Sequence, residues 1–400
     1  MLKAYKYRIY PNKASAQKLQ WVLDRCRELY NAALQERKEA YKYAGKTIGV
    51  YEQKRDLVEI KQIRQEYQDI GSHVLQDVVF RLEKAMQAFF RRVKEGSKPG
   101  YPRFMGPNRY DSFCYPDKAG WKIEGCTLHL SKIGEIKVKL HRPLEGKVKT
   151  ATIKREGDHW YVTFVCEVED AKLPLSSEDV GLDLGVTHFA ALSDGTFIDN
   201  PRHYRKAEKK LARLQQTLSR KKRGSHRRQK AVKQVARVHR KIRHQRKDFL
   251  HKESKKLVDR YQVMVFEDLQ PANLVKRPKP KQDETGKYLP NGAAAKGGLN
   301  KSISDTGWAQ FVQYCSYKAA SAGREVVKVN PKYTSQMCSQ CGQVRKKDLS
   351  ERWHSCDCRG ELDRDTNAAR NILRLGRSQQ STKAVEAPAL AMGYFTSLSS

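Results

Sequence analysis

Two short segments constrain the fold of this chain most, because each sets a carboxylate in an apolar run. VGLDLGV, residues 180–186, carries Asp183 between leucines and glycines, and VMVFEDL, residues 263–269, ends on Glu267, Asp268 and Leu269. Apolar runs this short, bounded by turn residues, read as buried strands. An ionised carboxylate buried without a partner is costly, so the fold must bring Asp183 a cation or a counter-charge. FAALSD, just after VGLDLGV, continues the text as a hairpin, and EVVKVNP, starting at Glu325, is a later strand.

A third acid, Asp365, lies just before the helical pattern NAARNIL. There a carboxylate can also cap the helix N-terminus, so capping and a shared site both stay open for Asp365. Glu267 beside Asp268 could likewise be a strand terminus. An acid within one strand, another at the end of a later strand and a third at a helix start can converge on one edge of a sheet. Carboxylates gathered in that way repel one another. Two magnesium ions about 4 Å apart would relieve the repulsion, activate a water and stabilise the leaving oxygen of a phosphodiester.

Of nine cysteines, four crowd together as Cys338-Ser-Gln-Cys341 and, fourteen residues later, Cys356-Asp-Cys358. Two close pairs of soft ligands fit a tetrahedral structural zinc, and four thiolates leave no open position for catalysis. The clustering points to metal in a reducing cytosol and not to a disulfide framework. The second pair is one residue shorter than the usual knuckle, which would strain its loop or recruit His354 as a substitute ligand.

Charge sets the partner class. Lys and Arg number 79 against 44 Asp and Glu, a formal net charge of +35 that would repel itself without a polyanion. Arg202 to Lys252 holds about twenty Lys and Arg but only Glu208 and Asp248 as acids. Apolar residues there keep helical spacing (Leu211, Leu214, Leu218, then Val235, Val238, Ile242, Phe249), which predicts one or two long helices broken near Gly224. Arg220, Lys221, Lys222, Arg223, Arg227 and Arg228 are the expected phosphate contacts. The start, MLKAYKYR, leads into no apolar run of signal-peptide length, and no stretch is long enough to span a bilayer, so the expectation is a cytoplasmic, nucleic-acid-associated protein without a membrane partner.

Elsewhere KAYKYRIY alternates as a strand, helices are expected after Pro11-Asn12 and from about Val74, and LHL, IKVKL, TATIK and the alternation from Trp160 to Val168 read as strands joining the first in one barrel-like sheet. Residues 271–300 are rich in Lys, Pro, Gly and Ala and read as a mobile connection. A helix is expected from about Trp308 to Ala320, and Gly376 is expected to stop the helix TNAARNILRL.

In order, YKYRIYPN, CRELYNAAL, FFRRVK with GYPRF, VGLDLGV, VFEDL, SISDTGWAQF, YTSQMCSQCG and LDRDTNAARNIL resemble the TnpB family, nucleases of bacterial insertion sequences related to type V CRISPR effectors. The resemblance spans residues 1 to about 376. It implies an α+β multidomain fold: a wedge-like β-barrel (1–10 and 97–175) with an inserted helical recognition layer (11–96), then a RuvC, RNase H-like α/β nuclease domain (180–330 and 363–376, with a flexible insertion at 271–304) interrupted by a zinc ribbon (331–362), and a disordered tail (377–400). It implies an RNA-guided DNA endonuclease, with a guide RNA from the transposon end and target DNA bearing a short adjacent motif. Asp183, Glu267 and Asp365 look like its magnesium-holding catalytic acids, with Asp365 preferred to Asp363 because the family's acid precedes x-Asn-Ala-Ala. Cys338, Cys341, Cys356 and Cys358 look like its zinc ligands. The Cys-x-Cys pair and the insertion before Ser302 depart from the pattern. The competing function is a non-cleaving nucleic-acid-binding transposition factor or guide-bound repressor, and a third is a transposase that joins strands without a guide.

Overall fold

Strand β1 (Leu2–Tyr10) alternates burial along its length, with Tyr5, Tyr7 and Ile9 inward and charged residues between them. It is the central strand of its sheet, pairing antiparallel with a later strand on each side. The computed structural model describes residues 1–107, 109–170, 172–348 and 351–393, and the side chains among these up to residue 380. The chain divides into two compact units, Met1–Glu169 and Asp170–Ser400.

In the first unit Asn12 caps α1 (Lys13–Ala44), accepting from the Ser15 N–H at 2.8 Å. Then come α2 (Val50–Ile63), α3 (Ser72–Lys94), β2 (Ser112–Tyr115), β3 (Trp121–Glu124), β4 (Thr127–Leu130), β5 (Gly134–Lys139), β6 (Lys147–Glu156) and β7 (His159–Glu167). The seven strands run in the order β2-β6-β7-β1-β5-β4-β3. Leu19, Leu23, Leu75, Val78 and Leu82 of the helices share one core with Tyr5, Tyr7, Phe113 and Phe164 of the sheet. The sheet curls until the ring of Trp121 is 5.1 Å from that of Phe164, but among the described residues β2 and β3 do not pair. The expected barrel is therefore open. Its end strands have four residues each, and α1 and α3 fill the face that closure would turn inward. The helices of the inserted layer expected at 11–96 share the sheet's core.

The second unit holds β8 (Asp179–Leu184), β9 (His188–Leu192), β10 (Phe197–Asp199), α4 (His203–Ser219), α5 (His226–Arg260) and β11 (Val263–Glu267). These are followed by α6 (Pro271–Leu274), β12 (Lys281–Gln282), β13 (Tyr288–Leu289), α7 (Ala293–Thr306), α8 (Trp308–Ala322), β14 (Glu325–Val329), β15 (Trp353–Ser355), β16 (Glu361–Asp363) and α9 (Arg364–Gly393). The sheet runs β10-β9-β8-β11-β14, antiparallel from β10 to β8 and parallel from β8 through β11 to β14.

Each strand's two-residue period sorts its side chains between two cores. Leu182, Leu184, Met264 and Phe266 face α5 and α8, where the Phe189 ring meets the rings of Phe249 and Phe311. Val263 and Val265 pack against Ile372 of α9. Two glycines permit this close approach: a Cβ at Gly181 would collide with the Ala369 carbonyl, and one at Gly376 with the Val265 methyls. Gly376 is therefore a packing residue inside α9, not the expected stop. The helix runs on to Gly393, where a disordered tail from 377 was expected, and residues 394–400 lie outside the described ones.

The expected mobile connection at 271–304 also carries structure. Asp283 Oδ1 accepts from the N–H groups of Thr285 and Lys287 to turn the β12–β13 hairpin, and Arg205 of α4 donates to the Gly298 carbonyl of α7 at 2.8 Å. Local hydrogen bonds order a segment whose composition lacks apolar periodicity. Among the described residues no helix is long and apolar enough to cross a membrane.

Candidate active site

Period-two geometry puts Asp183 on the same face of β8 as Gly181, and Glu267 on the same face of β11 as Val263 and Val265, the face that α9 covers. The register pairs Phe266 with Leu182, so Glu267 comes beside Asp183 near the carboxyl ends of adjacent parallel strands. Ligand sites of α/β sheets form at such ends.

The third acid comes from the start of α9, where two aspartates divide the work. Asp363 Oδ1 accepts from the N–H groups of Asp365 at 2.9 Å and Thr366 at 3.1 Å, which makes Asp363 the N-cap. Asp365, for which capping had been an open role, is thereby free to line the cavity. That cavity, of about 350 Å³, is lined by Asp183, Glu267 and Asp365 together with Thr334, Arg352 and Arg364.

The electrostatics are those of crowded like charges. Burial, then the nearby Glu267 and Asp365, push the Asp183 carboxyl up to about 8, against the pull of Arg364. Burial also raises Glu267, while a hydrogen bond from Thr334 at 2.5 Å lowers it. Burial and crowding by like charges thus both disfavour the ionised form of Asp183. Hard oxygen donors in this number suit a magnesium ion, whose charge would oppose the repulsion that raises Asp183.

The Sγ atoms of Cys338, Cys341, Cys356 and Cys358 all lie within 4.8 Å of one another. Cys338 and Cys358 are 3.7 Å apart and Cys341 and Cys356 3.6 Å, near the edge of about 3.8 Å that zinc–sulfur bonds of about 2.3 Å give a tetrahedron. The thiols therefore fit a zinc ion. His354, considered as a substitute ligand, is 1% exposed and stays outside this group, its Nδ1 meeting the Lys347 amine instead. The short Cys-x-Cys pair is accommodated by Arg359, which takes up a left-handed φ of 64° and donates its N–H to Cys356 O.

Three families match parts of the chain: "Probable transposase" over residues 163–277, "Cas12f1-like, TNB domain" over 308–372 and "Helix-turn-helix domain" over 1–46. The last of these segments folds here as β1 and the single helix α1 with its following residues. "TnpB-like protein L770" of Acanthamoeba polyphaga mimivirus is 25% identical over 256 residues, 60% of this chain and 46% of that protein. "Putative RNA-guided DNA endonuclease InsQ" of Escherichia coli (strain K12) is 33% identical over 382 residues, 94% of this chain and 93% of its own length. The chain belongs to the TnpB family. Among solved structures, the protein in "Cryo-EM structure of the Cas12f1-sgRNA-target DNA complex" aligns with 93% of this chain and 99% of its own at 15% identity, with a TM-score of 0.34.

In this TnpB-family chain the basic stretch forms a helical hairpin, α4 and α5 joined at a turn where Gly224 has φ 82°. Buried residues become sparse toward the turn: α4 buries only Leu211, and α5 only Ala231 and Ile242 before Leu250. Arg220, Lys222, Arg223 and Arg227 are exposed there, and among the described residues they have no carboxylate partner. Arg228 also closes the end of α4, its Nη1 donating to the Leu218 and Lys221 carbonyls.

Sequence reasoning missed Thr334, Arg352 and Arg364 in the cavity, although YTSQ and LDRD held two of them in view. It also missed Asp305, which is 8% exposed and anchors the hairpin by accepting from the Tyr204 N–H at 2.8 Å and Arg246 at 2.7 Å.

Proposed function

We propose that this chain is an RNA-guided DNA endonuclease that hydrolyses phosphodiesters at Asp183, Glu267 and Asp365 on a RuvC-like, RNase H-type sheet. One observation carries the reading: three carboxylates from distant segments line one cavity, where burial and then repulsion from Glu267 and Asp365 push Asp183 up to about 8. A structural core gains nothing from such an arrangement, whereas a cation-binding site requires it. The strand order and the relatives named above support the same reading.

The three acids would hold magnesium, which when bound supplies positive charge to activate water and to stabilise the leaving oxygen. The chain's own residues do the positioning. β8 and β11 fix Asp183 and Glu267 on rigid backbone, the Asp363 cap frees Asp365, and Arg352 and Arg364 give the cavity cationic walls for a phosphate. The four cysteines would hold a structural zinc. The exposed cations of the α4–α5 turn would contact nucleic-acid backbone, with base pairing to a guide RNA from the transposon end supplying sequence recognition beside a short target motif.

The test is cleavage of matched DNA in magnesium by protein purified with transcripts of its neighbouring transposon end. Asp183→Ala should lower cleavage by more than about 100-fold, beyond what removing an outer-shell partner causes, with target binding kept. Asp365→Ala should behave alike, while Asp363→Ala keeps cleavage and loses about 1 kcal/mol of stability as a missing cap. Full cutting by the Asp183 variant overturns the reading, and an active Asp365 variant beside a dead Asp363 variant reassigns the third acid.

A further inference from the structure

The segment YTSQMCSQCG supplies two of the clustered cysteines and, in Thr334, part of the cavity wall. Thr334 within it is 3% exposed. Its hydroxyl donates to Glu267 Oε1 at 2.5 Å and lies 3.1 Å from the Pro331 carbonyl. Among the described residues it is the one side chain that hydrogen-bonds the Glu267 carboxylate.

What fixes Thr334 comes from α9. Asn371, fully buried, donates through Nδ2 to the Thr334 carbonyl at 2.9 Å and the Met337 carbonyl at 2.7 Å. Asn367, one helical turn earlier and also fully buried, donates to the Met337 carbonyl at 2.7 Å and accepts from the Ser339 N–H at 2.9 Å. Cys338 follows Met337 directly, and its N–H donates to the Gln343 carbonyl across the knuckle. The connections form a closed circuit: the helix that presents Asp365 holds the cysteine knuckle, and the knuckle holds Glu267.

We propose that Thr334 is a positioning residue for Glu267, carried by the cysteine knuckle, so that filling the four-cysteine site and binding a cation at the acids are coupled. The proposal rests on reading Glu267 as one of the acids that hold magnesium. A glutamate at a strand end has three rotatable side-chain bonds, and a hydroxyl that fixes one carboxylate oxygen removes much of that freedom. Outer-shell partners of this kind change metal affinity or activity by about 10- to 100-fold when removed. The buried asparagines make the knuckle and the start of α9 one unit, so loosening the cysteines should move Thr334.

The test uses the full chain with its guide RNA, reading manganese affinity by electron paramagnetic resonance, zinc content, target-DNA affinity and cleavage against magnesium concentration. Thr334→Val keeps the shape without the hydroxyl. It should weaken manganese binding about 10-fold or more and shift cleavage to higher magnesium, with zinc content and target affinity kept. Thr334→Ser restores the hydroxyl and should return both readouts toward wild type. Cys341→Ser, which does not touch Thr334, should weaken manganese binding in the same direction. Wild-type manganese affinity in a zinc-loaded Thr334→Val protein overturns the proposal. If that variant does not fold, wild-type manganese affinity in a folded, zinc-free Cys341→Ser protein overturns it. Glu267→Gln separates the two layers: normal metal binding and cleavage there would overturn the reading of the acids themselves, whereas a dead Glu267→Gln beside a normal Thr334→Val would overturn only the coupling.

Discussion

Two clusters of buried charge, one in each unit, are built in opposite ways. In the first, Arg37 of α1 is 7% exposed, and its guanidinium donates to Gln53 of α2 and Glu83 of α3, each at 2.8 Å. Gln53 turns its own amide to the Ala33 carbonyl and Glu36, so three helices meet around one matched network. In the second, Asp183, Glu267 and Asp365 bring three like charges to one cavity, with Arg352 and Arg364 at the rim and burial pushing two of the acids upward. The first cluster is balanced from within the chain. In the second, like charges crowd one another, and Arg364 pulls against the rise of Asp183. A buried ion is therefore informative through the charges around it: an opposite charge within reach is an architectural pairing, and like charges crowded together raise the question of a site.

The comparison breaks most visibly at Arg37. Arg37→Ala takes the donor away from Glu83 Oε2 and Gln53 Oε1 and should lower stability by about 3 kcal/mol, seen as an earlier urea midpoint for the first unit's transition, with metal binding at the acids untouched. A loss below about 1 kcal/mol would mean the network is no more than a surface pair.

The acids should respond with the other sign. Folded, Asp183 keeps its proton until about pH 8, whereas the unfolded chain releases it near 3.8. Between those values the unfolded state binds fewer protons, so this group's contribution to stability is full below about pH 4 and is lost as pH rises toward 8. Asp183→Asn removes the titration. In metal-free protein it should raise the melting temperature by roughly a few degrees at pH 8 and change it little at pH 4, and added magnesium should stabilise wild type more than the variant. A destabilised variant at pH 8 would show that Asp183 is a structural partner after all.

The smallest effect on stability is expected where charge is left in water. Replacing Arg220, Lys221, Lys222 and Arg223 together by Gln at the α4–α5 turn should change folding stability by less than about 0.5 kcal/mol. It should nevertheless flatten the salt dependence of nucleic-acid binding by up to about 0.9 log units for each phosphate that is no longer neutralised, equally for every sequence. An unchanged slope in a folded variant would make these side chains an ordinary solvated face.

Sequence alone determined the parts whose signal is local. Asp183 and Glu267 were legible because an acid inside an apolar strand stands out, and the four cysteines because their spacing is short. Asn12 announced the first helix, and a basic run with apolar residues at helical spacing announced one or two long helices broken near Gly224, though not their pairing as a hairpin. What remained was decided by partners far away in sequence. LDRD cannot tell which aspartate caps α9 and which faces the cavity, since that depends on how β16 enters the helix. Gly376 reads as a helix stop until Val265 is found against it. The open edge of the first sheet follows from helices filling the face that a barrel would enclose. Thr334 looks like any threonine until Asn371 fixes its backbone and its hydroxyl meets Glu267. Local chemistry places residues on elements, but only packing brings three acids from three segments close enough to raise the pKa of one of them.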